Sequence, residues 1–190
     1  IPHLDAMECD EERIKYIRAQ FDDCIHKLEE ITDKKMDYDR LRQVMEISQR
    51  SSRAWLRAVS HMQYTPSPFS GFDIFNNMAV ACVGRGTIAA AEAFEQLADE
   101  YAQLAMQGKS TFRGEEKYRI LFEGIACWAN LRFTYKTLQA NGINLTASVY
   151  GPAFSFLYSN LDELMAAYAY VPNSNCFEAE VQLRVRDAIK

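Results

Sequence analysis

Two segments of this chain carry the side chains best suited to chemistry. The first is Glu123-Gly124-Ile125-Ala126-Cys127-Trp128, which sets a carboxylate, a thiol and an indole around a glycine. The second is Ser148 with Tyr150, two hydroxyls just ahead of the Gly151-Pro152 break. A carboxylate can move a proton, and hydroxyls can hydrogen-bond a carbonyl or an anion. Cys127 falls near the start of an expected helix, where unpaired N–H groups and the macrodipole favour a thiolate, or a bound phosphate, carboxylate or thioester oxygen. Arg85, flanked by Gly84 and Gly86, adds a guanidinium able to grip a carboxylate or phosphate bidentately. Each has a plainer assignment: Cys127 and Trp128 as packing, Arg85 as an exposed arginine at a helix break. Gly124 stands alone, without GxGxxG or GxxxxGK[ST], so the turn carries no nucleotide-binding signature.

A strand–helix–strand unit over Lys117 to Tyr150 positions these residues. Tyr118 to Glu123 is a short apolar run, and Ile143 to Val149 is a second, rich in the Ile, Leu, Thr and Val that suit a pleated surface. Between them Leu131, Tyr135 and Leu138, with Phe133 and Thr134 alongside, recur at helical spacing. Asn141-Gly142 is a stop signal for a helix that ends in a left-handed residue. Two strands joined by a helix run parallel, and ligands of such sheets collect beyond the carboxyl ends of the strands. That edge should hold Glu123, Cys127, Ser148 and Tyr150. The exit Tyr150-Gly151-Pro152-Ala153-Phe154 should neighbour the Cys127 turn.

The rest of the chain reads as helical. Asp10 can cap a helix in which Ile14, Ile17, Phe21, Ile25, Leu28 and Ile31 follow at three- and four-residue steps. A second helix follows Asp37, with Leu41, Val44, Met45, Ser48, Trp55, Ala58, Val59 and Met62 facing inward and Ser51-Ser52 as a place to bend or divide it. The two are expected to form an antiparallel pair. Gln63 to Phe72 is the clearest loop, with prolines, a glycine and small hydroxyl residues. A third helical region from about Asp73 to Met106 is interrupted at Gly84-Arg85-Gly86. Asn160 with Glu163, and Asn175 with Glu178, are capping-box patterns ahead of two more helices. The expected architecture is a helix-rich α/β protein, with residues 1–110 helical and 111–190 a partial Rossmann-like parallel sheet. The last stretch, Glu178 to Ile189, stops where another strand would follow. With no initiating methionine at Ile1, this suggests a piece of something longer.

Composition narrows the function classes. The chain has 190 residues, of which 48% are hydrophobic, enough for a real core. A net charge of −5, with Lys and Arg scattered among acids, argues against nucleic-acid binding. No apolar run approaches the ~20 residues that span a bilayer, and a cytoplasmic location is expected. Cys9, Cys24, Cys82, Cys127 and Cys176 are widely spaced without CxxC, and His3, His26 and His61 are dispersed. Neither a disulfide framework nor a self-contained metal site is indicated. The Asn144 sequon sits in an expected buried strand, where a glycan has no room.

RILFEGIACWANLRFTYKTLQANGINLTASVYG, with PSPFSGFDIFNNMA and NLDELMAAYAYVPN, resembles the 2-hydroxyglutaryl-CoA dehydratase family, which also contains benzoyl-CoA reductase subunits. The resemblance runs over essentially the whole chain and is most specific in the central block. It implies a cytoplasmic subunit of an oxygen-sensitive iron–sulfur lyase of anaerobic amino-acid fermentation. Such an enzyme removes water from an (R)-2-hydroxyacyl-CoA to give a 2-enoyl-CoA, through a ketyl radical formed on the thioester. It implies as partners an acyl-CoA substrate, a second dehydratase subunit and an ATP-dependent iron–sulfur activator. The cysteines that hold the four-iron four-sulfur cluster in this family are expected outside these residues, leaving the 190 residues inactive alone. A reductase-type subunit, or an acyl-CoA or anion-binding assembly module, is the alternative. Glu123, Cys127, Ser148, Tyr150 and Arg85 are the substrate-binding candidates.

Overall fold

A computed structural model describes residues 11–122, 124–148, 150–155 and 157–169. It is helix-rich, with a small parallel sheet in the later half. In chain order the elements are α1 (Glu11–Thr32), α2 (Tyr38–Ser60), α3 (Gly71–Val83), α4 (Ile88–Met106), β1 (Tyr118–Phe122), α5 (Leu131–Ala140), β2 (Ile143–Ser148) and α6 (Leu161–Ala169). Asp10, Glu123, and the helix expected from Asn175 and Glu178 lie outside the described residues.

The helix starts are chemically specified. Asp37 accepts a hydrogen bond from the Arg40 N–H at 2.9 Å and starts α2. Ser70 and Asp73 form a reciprocal capping box, so α3 begins at Gly71 with Asp73 in its first turn, two residues ahead of the expected start. Thr87 caps α4 after the Gly84-Arg85-Gly86 break. Asn160 and Glu163 cap α6 as the pattern predicts: the Asn160 Oδ1 accepts from the Glu163 N–H at 2.9 Å and the Glu163 Oε2 from the Ser159 N–H at 2.7 Å.

The main core lies between α2, α3, α4 and the sheet. Trp55, Phe69, Ile74, Phe75 and Leu145 are each at most 2% exposed. Trp55 packs on Phe94 with ring centroids 4.9 Å apart, and Phe69 stacks on Tyr101 at 4.0 Å. Alanines 90, 91 and 98 let α4 approach α2 closely. Ser51-Ser52 neither bends nor divides α2, which runs unbroken because both serines are buried against that interface.

Two sequence expectations are corrected. The antiparallel α1–α2 pair does not form; α2 packs on α4, and α1 on α6 through Ile17, Met165 and Ala169. Amphipathic spacing states that a face needs burial without naming what covers it. Only Ile17 of the α1 apolar series is buried, and Ile31 is 80% exposed. Second, the loop 63–72 is not a plain exposed connector, since Ser67, Pro68, Phe69 and Ser70 are buried. Its main chain is held by groups from far along the sequence. The buried Asn144 donates to the Phe69 carbonyl at 3.3 Å and accepts from the Gly71 N–H at 3.2 Å, and the Thr111 N–H donates to the Pro68 carbonyl at 2.9 Å.

β1 and β2 pair in parallel, Tyr118 opposite Ile143 and Phe122 opposite Ser148, with a register shift between Ile120 and Leu121. Gly142 ends the α5 region at φ 71°, the left-handed conformation expected of it, and its carbonyl accepts from the Lys117 and Tyr118 N–H groups. At the other contact of β2, Gly71 lies so close that a Cβ would fall 2.3 Å from the Leu145 carbonyl oxygen. Only glycine starts α3 at this distance from the sheet.

Burial raises the pKa of Asp73 above the usual carboxylate value, outweighing the hydrogen bonds it accepts from the Thr111 hydroxyl and the Ser70 N–H. The folded chain therefore holds this proton more tightly than the unfolded chain. The favourable increment is present at low pH and is lost as pH rises from 3.8 through the raised folded value. Asp73→Asn keeps the capping acceptor without the charge. Its stability relative to the parent should rise as pH climbs from 3.8 through the raised folded value, as urea denaturation at each pH will read. A flat difference would show that Asp73 titrates normally.

Candidate functional site

The two strand ends meet at one edge. After β1 the chain turns through Gly124 at φ +84°, buries Ala126, and exposes Ile125, Cys127 and Trp128. Glu123 lies outside the described residues. Trp128–Asn130 form a 3-10 turn whose Asn130 N–H donates to the Cys127 carbonyl at 3.0 Å, and α5 follows from Leu131. The helix thus starts one turn beyond Cys127. One of the N–H groups expected to face a ligand is already used. Cys127 is exposed and Trp128 is 51% exposed, so neither is the buried packing residue that composition favours.

Beyond β2, Ser148 ends the strand and Tyr150 begins its exit. The Ser148 hydroxyl is buried and has no hydrogen-bond partner among the described residues. Buried hydroxyls are ordinarily bonded, so this one retains capacity for a further donor or acceptor. Tyr150 is half-buried, its ring 5.4 Å from Phe154.

Phe75 of α3 joins the two ends. Its ring lies 5.0 Å from Phe122, 6.4 Å from Trp128 and 6.3 Å from Tyr150. Trp128 and Tyr150, from the ends of the two strands, thereby share one ring neighbour. Phe75 itself was not singled out by sequence reasoning. Its signal was its three-residue spacing from Phe72 after the Ser70 capping box, which turns both rings toward the sheet.

Arg85 reaches the same exit from the helical side. Its guanidinium donates to the main-chain carbonyl of Phe154. Trp55 Nε1 donates to the Gly151 carbonyl at 3.3 Å, and a Cβ on Gly151 would lie 2.2 Å from Ile74 Cγ2. The exit of β2 is thus clasped by α2, α3 and the Arg85 turn. Arg85 contributes to that clasp and is not part of the Cys127 turn.

Phe75, Phe122, Trp128 and Tyr150 form an apolar wall, with Cys127 adjoining Trp128 in sequence and Ser148 opposite Phe122 in the sheet. It is suited to seating a hydrophobic or aryl group and to hydrogen-bonding one polar atom beside it. Among the described residues no group of three or more His, Cys, Asp or Glu converges as a metal site. Cys24, Cys82 and Cys127 lie on α1, on α3 and after β1, whereas an iron–sulfur cluster needs several thiolates together. These three do not fit such a cluster. No helix of the described residues is long and apolar enough to cross a membrane.

The profile of a family described as "2-hydroxyglutaryl-CoA dehydratase, D-component" matches residues 1–190. The chain is 57% identical over 185 residues to the (R)-phenyllactyl-CoA dehydratase alpha subunit of Clostridium sporogenes, covering 97% of this chain and 46% of that protein. It is 46% identical to the (R)-2-hydroxyglutaryl-CoA dehydratase subunit alpha of Acidaminococcus fermentans, covering 97% of this chain and 39% of that protein. To the (R)-2-hydroxyisocaproyl-CoA dehydratase alpha subunit of Clostridioides difficile it is 40% identical, covering 96% of this chain and 46% of that protein. The chain thus spans less than half the length of each of these relatives.

Proposed function

The chain belongs to the 2-hydroxyglutaryl-CoA dehydratase D-component family, and from that premise we propose that it is part of an alpha-type subunit of a cytoplasmic (R)-2-hydroxyacyl-CoA dehydratase. The observation that carries this reading is the 57% identity to a phenyllactyl-CoA dehydratase alpha subunit along almost the whole chain. All three relatives named above are dehydratase subunits, which favours loss of water over ring reduction of an aromatic thioester. The substrate class we assign is an acyl-CoA whose acyl part is aryl or otherwise apolar.

In this reading the exposed Trp128 and the half-buried Tyr150, backed by the buried Phe75, seat the acyl group and keep water from it. The unpartnered Ser148 hydroxyl donates to the thioester carbonyl or to the departing 2-hydroxyl. The exposed Cys127 lines the rim, and Glu123 is the carboxylate nearest in sequence for proton transfer. Elimination follows the ketyl-radical route that the family resemblance implies. A four-iron four-sulfur cluster would supply the electron in this reading; Cys24, Cys82 and Cys127 would not hold it, and an ATP-dependent activator and a second subunit would complete the enzyme.

The test is anaerobic turnover of the whole protein with its partner subunit and activator, on (R)-phenyllactyl-CoA, (R)-2-hydroxyisocaproyl-CoA and (R)-2-hydroxyglutaryl-CoA. The expected order of kcat/KM puts the aryl substrate first and the dicarboxylate last. Trp128→Ala should raise KM for the aryl substrate about tenfold, the loss expected when one apolar contact leaves a pocket. No dehydration of any of the three would end the enzymatic reading. Preference for the dicarboxylate would end the assignment of an apolar substrate.

A further inference from the structure

A small, partly open pocket of about 10 Å³ lies under the Gly84-Arg85-Gly86 turn, lined by Ser48, Ser51 and Ser52 of α2, by Ala81 of α3, by Arg85, by Phe94 of α4 and by Ser155 beyond β2. All four serines are buried, at 3%, 6%, 2% and 7% exposure. Four hydroxyls from two distant parts of the chain, with a guanidinium above them, are an unusual lining for the interior of a helical layer.

The hydroxyls are not equally provided for. Ser48 accepts from the Tyr158 hydroxyl at 3.1 Å. The Arg85 guanidinium is directed to the Phe154 carbonyl. The Ser51 Oγ is buried and has no hydrogen-bond partner among the described residues. A serine inside a helix commonly bonds back to a carbonyl of the preceding turn, and Ser51 has no such bond. It is a buried group that fronts the cavity with its bonding capacity unused.

The space matches one molecule. A buried water needs roughly 10–15 Å³ of accessible volume and two to four polar partners. A phosphate or a carboxylate needs several times as much. We propose that this cavity binds one ordered water through the Ser51 hydroxyl, and that this water links the middle of α2 to Ser155 at the end of the β2 exit. That exit also carries Tyr150. The water, the Arg85 bond to Phe154 and the Trp55 bond to Gly151 then hold one short segment at three points.

The test is a crystal structure of the whole protein, refined at a resolution that shows ordered waters, together with thermal denaturation of Ser51→Ala. The expected result is a density peak about 2.5–3.2 Å from Ser51 Oγ with a second polar partner. The variant should lose roughly 2–4 °C in melting temperature, because it removes a bonded hydroxyl. Absence of a peak in well-ordered surroundings would overturn the proposal. A rise in melting temperature would do the same, since deleting a partnerless hydroxyl from a dry cavity stabilises the fold. An anomalous peak there after a bromide soak would replace water by an anion and equally overturn it. None of these readouts depends on catalysis, so the outcome is independent of the dehydratase reading.

Discussion

Asn144→Ala is expected to cost about 3–5 kcal/mol of stability, since each buried group left unpaired forfeits roughly 1–3 kcal/mol. Asn144 is 0% exposed in β2 and holds three partners at once. It accepts from the Gly71 N–H at 3.2 Å, donates to the Phe69 carbonyl at 3.3 Å, and donates to Glu116 Oε2 at 2.7 Å. Gly71 is the first residue of α3 and Phe69 the buried end of the loop before it, so one side chain joins loop, helix and strand. Alanine strands the Gly71 N–H and leaves a void, while the Phe69 carbonyl keeps the Ser67 hydroxyl at 2.9 Å and Glu116 keeps Arg119 at 2.5 Å. Asn144→Asp separates shape from hydrogen bonding. It preserves the acceptor for Gly71 but sets a second carboxylate against Glu116, so its penalty should shrink as pH falls and one of the pair takes a proton. Urea denaturation followed by far-UV circular dichroism measures both. A cost below about 1 kcal/mol for alanine would mean that packing alone holds the loop.

Trp55→Ala should be comparably damaging, at about 3–5 kcal/mol, the range for deleting a large buried aromatic ring. The indole is 1% exposed, packs on Phe94 at 4.9 Å and lies within the cluster that includes Ile74, Phe75 and Leu145. It also donates from Nε1 to the Gly151 carbonyl, tying α2 to the β2 exit. Trp55→Phe retains much of the buried ring and loses that bond. Its cost should be smaller, about 1–2 kcal/mol, and it isolates the contribution of the link to Gly151 together with the smaller ring volume. Thermal denaturation of the two variants side by side reads the difference. Equal melting temperatures for the two would show that ring burial is a minor part of what Trp55 does.

Local structure was legible from residues close together in sequence. Asp37 and Asn160 cap helices because their side chains reach N–H groups three residues ahead. Asn141-Gly142 stops α5 because glycine alone takes φ 71° without strain. The two apolar runs around α5 pair as parallel strands, since a helical crossover between them leaves no other way to align. The family, too, was legible in the block from Arg119 to Gly151.

The remaining features depend on groups distant in sequence, for which no local rule speaks. The period of α1 marks an apolar face, but which element covers it is settled by where the chain returns, and that is α6. The loop 63–72 has the composition of a surface connector, yet Asn144 and Thr111 satisfy its main chain and allow Ser67 through Ser70 to be buried. Arg85 reads in sequence as a grip for an anion or an exposed arginine at a helix break; the nearness of the β2 exit brings the Phe154 carbonyl to its guanidinium. Sequence alone therefore determined most of the described elements and the family of this chain. Only the tertiary structure decided which faces are covered, that Phe75 joins the two strand ends into one wall, and that Ser148 and Ser51 keep unused hydroxyls, because each depends on which distant group arrives within bonding distance.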